Sequence, residues 1–159
     1  MEELIRVLTE ERGLLEVLVY RLETLRHFLT MDRPRSVEWA SMEVDQASDL
    51  LRAAEHRRND AAARAGRDAG LVHAFPSLRE LASLDGPYRS TLEALRHDFL
   101  ALTEQVEDLF ASVRKNVAQG YQLVNKALGP AMAAPHAGTL YGPDAHVPRA
   151  VASRFEGVL

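Results

Sequence analysis

The sequence predicts an all-α protein: an antiparallel hairpin of two long helices, a short third helix, a longer fourth helix and a flexible C-terminal tail. Three observations carry that prediction. Apolar residues recur in a heptad-like pattern through roughly the first four-fifths of the chain. Proline and glycine interrupt that pattern at a few discrete places, near residues 32–35, 66–76 and 85–87. From Gly129 onward the periodicity stops and Gly-Pro punctuation takes over.

The first helix is expected over about residues 2–31. Its seam reads Leu4, Leu8, Leu15, Leu18, Leu22, Leu25 and Leu29, with Glu11 as the lapse and Gly13 nearby. Pro34 then breaks the helix, because a proline pushes the preceding residue out of the α region. Ser36 offers an N-cap for a second helix over about 36–65. There the seam alternates larger and smaller residues: Val37, Ala40, Val44, Ala47, Leu51, Ala54, then Arg58 and Ala61. Recurrent alanine lets two backbones approach near the short end of the roughly 8–10 Å range for packed helices. Beyond Leu51 no large apolar side chain stands in this seam, so that end of the hairpin is expected to be looser. Trp39 is read as a plug between helices, against the alternative of a binding hot spot.

Residues 66–76 form a connector marked by Gly66, Gly70 and Pro76. A short helix over about 77–84 follows. Ser77 and Glu80 have capping-box spacing, and Leu78, Leu81 and Leu84 supply an apolar face. Pro87 suits the first turn of a fourth helix over about 87–128. Its seam is Leu92, Leu95, Phe99, Leu102, Val106, Leu109, Val113, Asn116, Gly120 and Leu123, drifting from Phe110 on toward Val117 and Val124. A straight helix of 3.6 residues per turn drifts in this way against a repeat of seven. At 1.5 Å per residue the hairpin helices span roughly 45 Å and the fourth roughly 63 Å. The fourth therefore outruns the hairpin, at its C-terminal end if successive helices alternate in direction. That end carries Val113, Val117, Tyr121, Val124 and Leu128, with Asn116 in the seam. An uncovered apolar strip marks either a partner surface or an aggregation hazard, and the spacing suits a partner helix laid alongside. Two readings of Asn116 stand: a buried register-setting amide or a solvated one. Gly120 marks a flex point or a close approach by a partner, or carries no meaning.

Composition narrows the function classes. At 159 residues the chain has room for one domain, and 47 % hydrophobic content suffices for a core. Nineteen cations against 23 anions give a net charge of −4, without the basic excess of a nucleic-acid scaffold. Cysteine is absent, so there is no disulfide framework or thiolate chemistry. The acidic start Met1-Glu2-Glu3 is unlike a secretion signal. The most apolar stretch, Leu14 to Tyr20, is broken by Glu16 and is far too short to span a bilayer. A cytoplasmic location is expected. Glu23/His27 and Glu93/His97 are spaced i, i+4 rather than as the Glu-x-x-His of a bundle di-iron site. No P-loop, dinucleotide fingerprint or nucleophile elbow occurs. No catalytic residue, metal or cofactor is expected.

In the tail, Thr139-Leu140-Tyr141-Gly142-Pro143-Asp144-Ala145-His146 places leucine and tyrosine side by side among glycine, proline and alanine. This is either a short linear motif that orders on contact or a tyrosine without a role. Together with the opening Leu14-Leu15-Glu16-Val17-Leu18 and the Arg114-Lys115-Asn116 segment followed by Leu123-Val124, it resembles the FlgN-type flagellar export chaperones. The resemblance covers about residues 4–146, and Ala145 stands where the family tail often has glycine. It implies a non-enzymatic cytoplasmic chaperone of bacterial flagellum biogenesis. Such a chaperone holds the C-terminal segments of hook–filament junction proteins, prevents their early assembly and delivers them to the flagellar type III export gate. Carried onto this chain, cargo would bind at Asn116 to Leu128 and the gate at Tyr141, with Leu140 and Gly142 around it. The alternative is a coiled-coil assembly protein that self-associates through the end of the fourth helix. Oligomeric state is open.

Overall fold

The computed structural model describes residues 1–31, 33–71, 76–84 and 86–128, apart from the side chains of Asn125, Ala127 and Leu128. Expectations placed on the Leu128 side chain, on Leu140, Tyr141 and Gly142, and on a flexible 129–159 tail lie outside the described residues. Among the described residues there are four helices: α1 (Glu2–Thr30), α2 (Pro34–Asp68), α3 (Leu78–Ala82) and α4 (Arg89–Leu128). The fold is the expected all-α bundle.

The central helix is α1, which packs against both α2 and α4, whereas α2 and α4 make no close backbone approach to each other among the described residues. Its apolar stripe is wide enough to serve two neighbours. Leu4, Leu8, Leu15, Leu18, Leu22 and Leu25 are buried along the seam, Val7 is buried beside it, and Ile5, Leu14, Val19 and Phe28 pack against the core from its edges. α2 runs antiparallel to α1, as the pairs Arg21–Glu43 at 2.9 Å and Arg58–Glu11 at 2.6 Å require. α4 runs parallel to α1 in a fixed register: Tyr88 donates to Glu2 and Arg12 donates to Asp98, each 86 residues apart in the chain.

Several helix ends differ from their expected places, and α3 stops at Ala82, two residues early. Pro34 itself opens α2 at its first turn, with Arg33 at the cap position and no side-chain cap, so Ser36 lies inside the helix. α2 continues past Gly66 to Asp68 and closes on Gly70, whose φ of 75° is the left-handed conformation that favours glycine. There Leu71 N–H donates to Gly66 O at 2.9 Å and Gly70 N–H to Arg67 O at 3.0 Å, the paired bonds of a Schellman cap. α4 begins at Arg89, leaving Pro87 in the preceding turn. The Ser77–Glu80 capping box at α3 forms reciprocally, as its spacing predicts.

Gly66 serves packing rather than termination. A Cβ added there would stand 2.6 Å from Cγ of Pro76, a rigid ring that closes the connector onto α2. Gly66→Ala is therefore expected to destabilise by about 1–2 kcal/mol, overpacking outweighing the roughly 1 kcal/mol gained in helix propensity. Gly13→Ala, with nothing within 4 Å of the new methyl, is expected to stabilise instead. Urea midpoints moving in opposite directions would establish the contrast; equal shifts would refute it.

Trp39 is not a plug. It is 71 % exposed, because it lies just off the Ala40, Val44, Ala47 and Leu51 line, where a 100° step turns it away from α1. The end of the hairpin beyond Leu51, expected to be loose, is closed by small residues and by charge. Ala54, Ala61 and Ala65 are buried together with Arg58, which meets Glu11 across the interface. On α4 the drift of the apolar stripe begins earlier than expected. Thr103 is buried and Leu102 only half-buried, and the Thr103 hydroxyl is satisfied by Phe99 O at 2.7 Å.

Candidate partner-binding site

The α1–α4 register fixes where the bundle stops. With partners 86 residues apart, Thr30 at the end of α1 stands level with residue 116 of α4. The last twelve residues of α4, 117–128, rise beyond the α1–α2 turn, a projection of roughly 18 Å.

The expected cargo residues fall on both sides of that boundary. Val113 is buried in the bundle core, so its side chain is already engaged. Asn116 is half-buried at the last covered level, between the buried and solvated readings. Val117 packs against the edge of the core. Tyr121 and Val124 are exposed, 49 % and 53 % respectively, as is Leu123 at 67 %. Val117, Tyr121 and Val124 continue the line of Val106, Phe110 and Val113 out of the core, since spacings of three and four residues keep one helix face. The free strip is thus shorter than the sequence suggests: its lower end is spent on α1. Gly120 is exposed, a Cβ added there would meet nothing within 4 Å, and α4 runs through it as an uninterrupted helix.

Below the strip, the end of α1 presents exposed Met31 and half-buried Phe28 and Leu29. The projecting strip rises from this end as a step whose wall carries Val117, Tyr121 and Val124. A short amphipathic helix could lie against the wall and bury its anchors there.

The sharpest electrostatic feature lies elsewhere. Glu11 is fully buried and its carboxylate accepts from Arg58 Nη1 at 2.6 Å, while its second oxygen and Arg58 Nε have no partner among the described residues. Burial pushes the Glu11 carboxyl up to about 7 against the pull of Arg58, with Glu55 adding to the rise and Arg57 opposing it. In the sequence Glu11 is the lapse in one seam and Arg58 a charged member of the other. The signal that joins them was available: they lie 23 and 24 residues either side of Pro34, where an antiparallel hairpin brings opposite charges together. This pair sits inside the scaffold, with both side chains buried between α1 and α2.

His27 and His97 are exposed on different helices, and among the described residues no group of three His, Asp or Glu side chains converges as a metal site would. A half-open pocket of about 310 Å³ at the base of the bundle is lined mainly by Met1, Leu81, Leu84, Tyr88, Arg89 and Leu92. Among the described residues no helix is long and apolar enough to cross a membrane. No family model, curated protein or solved structure matches this chain.

Proposed function

We propose that this protein is a helical binding protein whose projecting end of α4 holds an amphipathic helix of a client. Within that class, the function favoured is export chaperoning of the FlgN type. The clients would be the C-terminal segments of hook–filament junction proteins, kept from premature assembly in the cytoplasm and passed to the flagellar export gate through Tyr141. The observation that carries the reading is the projection itself. Tyr121, Leu123 and Val124 remain exposed on a helix whose lower apolar line is entirely used by the bundle. The resemblance in Leu140-Tyr141-Gly142 and in the Arg114-to-Val124 stretch supplies the particular client and gate. Such a surface suits moderate affinity, because a chaperone must also release its cargo.

The test is fluorescence anisotropy with a labelled peptide spanning the C-terminal helix of a hook–filament junction protein. Tyr121→Asp with Val124→Asp is expected to weaken binding by about 100-fold or more, since two central anchors are lost, at unchanged helicity. Trp39→Ala, on another face, is expected to leave binding as it was. Tyr141→Ala is expected to lower export while cargo binding holds. A stable homodimer through residues 117–128, indifferent to the peptide, would favour the self-assembling coiled coil instead.

A further inference from the structure

Charge is distributed very unevenly along this bundle. Residues 24–38 and 110–128 form the end that carries the step. Between them they hold six cations, Arg26, Arg33, Arg35, Arg114, Lys115 and Lys126, against two carboxylates, Asp32 and Glu38. That end is +4 in a chain whose net charge is −4. The segment 110–128 contains no acidic residue at all. Among the described residues none of the six cations is held in an ion pair, whereas further down Arg12, Arg21 and Arg58 are paired with Asp98, Glu43 and Glu11. All six are exposed. Arg114 precedes Tyr121 by seven residues, so it stands two turns below it on the same face and borders the apolar strip. Lys115 and Lys126 lie around the back of α4 and add to the field rather than to the contact.

From this placement we infer that the step selects an acidic amphipathic helix of about three turns, its apolar side on Val117, Tyr121 and Val124 and its carboxylates toward Arg114 and the Arg33–Arg35 turn. The inference rests on the proposal that the projection holds a client helix, and adds which helix it prefers. Length follows from the roughly 18 Å of free α4, which accommodates about twelve helical residues. Sign follows from the unpaired cations, which steer an acidic partner and repel a basic one. Two other occupants are disfavoured by the same charge. A second copy would bring +4 against +4. Residues 129–159 carry two acidic and two basic residues and offer no complementary charge. A nucleic acid would engage the cations but leave the apolar strip uncovered.

The experiment uses the full chain and three labelled helix-forming peptides of equal length. They share one leucine strip and differ only in their polar face: glutamate, glutamine or lysine. Anisotropy titrations at low and high salt should show the glutamate peptide binding at least about 10-fold tighter than the glutamine one. The lysine peptide should bind weakest, and the spread should contract as the Debye length shrinks from about 30 Å to below 10 Å. Arg114→Glu with Lys115→Glu, both exposed, should erase or invert the order while circular dichroism is unchanged. Equal binding of all three peptides would overturn the charge selection but leave the client-helix reading standing. No binding of any peptide would overturn both. Displacement of the glutamate peptide by duplex DNA at comparable affinity would overturn the inference in favour of a general polyanion site.

Discussion

Arg58→Ala should cost about 3–5 kcal/mol, because it leaves Glu11 as an unpaired carboxyl in the heart of the α1–α2 interface. Glu11 is wholly buried and, among the described residues, Arg58 is its one hydrogen-bonding partner. By contrast, Glu11→Leu with Arg58→Leu should be neutral or stabilising, since an apolar pair of similar volume avoids the desolvation of two charges. Equilibrium urea unfolding of wild type, single and double variants gives both values; a single-variant loss below about 1 kcal/mol would mean that water reaches the pair.

The same series has a pH signature. The folded carboxyl of Glu11 titrates near 7 against an ordinary value of 4.5, so the folded state binds this proton more tightly than the unfolded chain. Glu11 therefore contributes its full stability below about pH 4.5 and loses it progressively as pH rises through about 7. Wild type should be more stable at mildly acidic pH than above neutrality on this account. Glu11→Gln should flatten that slope. Arg58→Ala should extend the loss to higher pH and enlarge its total, because without the guanidinium the carboxylate form is penalised still more. A slope unchanged in Glu11→Gln would assign the effect to other groups.

Phe99→Ala is expected to have the other large effect, a loss of about 3–5 kcal/mol from removed transfer energy and an unfilled cavity. Phe99 is the largest of the fully buried side chains and lies where α4 crosses the middle of α1. Leu100, its neighbour in sequence, is exposed a 100° step around the helix, and Leu100→Ala should fall within about 0.5 kcal/mol of wild type. Hydrogen exchange should show where the loss is felt. In Phe99→Ala the amides of α4 should lose protection first, while α1 and α2 retain theirs through Leu15, Leu18, Val44 and Leu51. Uniform loss over all three long helices would show instead that the bundle unfolds only as one unit.

The two buried-pair residues and the α4 anchor illustrate why some of this protein was legible early and some was not. Leucine every three or four residues in α1, and the same pattern in α4, need no partner to be recognised as helix. The Ser77–Glu80 cap and the projection of α4 are likewise local, one depending on a spacing of three and the other on length alone. Gly66 misled because two physical roles, ending a helix and permitting close packing, leave the same letter in the sequence. Only Pro76 against its Cα distinguishes them. Trp39 misled for a related reason: hydrophobic size suggests burial, but a 100° turn from Ala40 carries it outside.

By itself the sequence determined the helices, their order, their approximate lengths and the fact that α4 outruns the hairpin. All of these follow from periodicity and rise per residue, which are properties of single segments. The tertiary structure decided what faces what. It made α1 the shared partner of α2 and α4, and it joined two charged seam residues into one buried ion pair. It also drew Val113 into the core, so that the free surface begins at Val117. Those outcomes depend on the register between helices, which is set by the summed packing of distant residues and is written in no one segment.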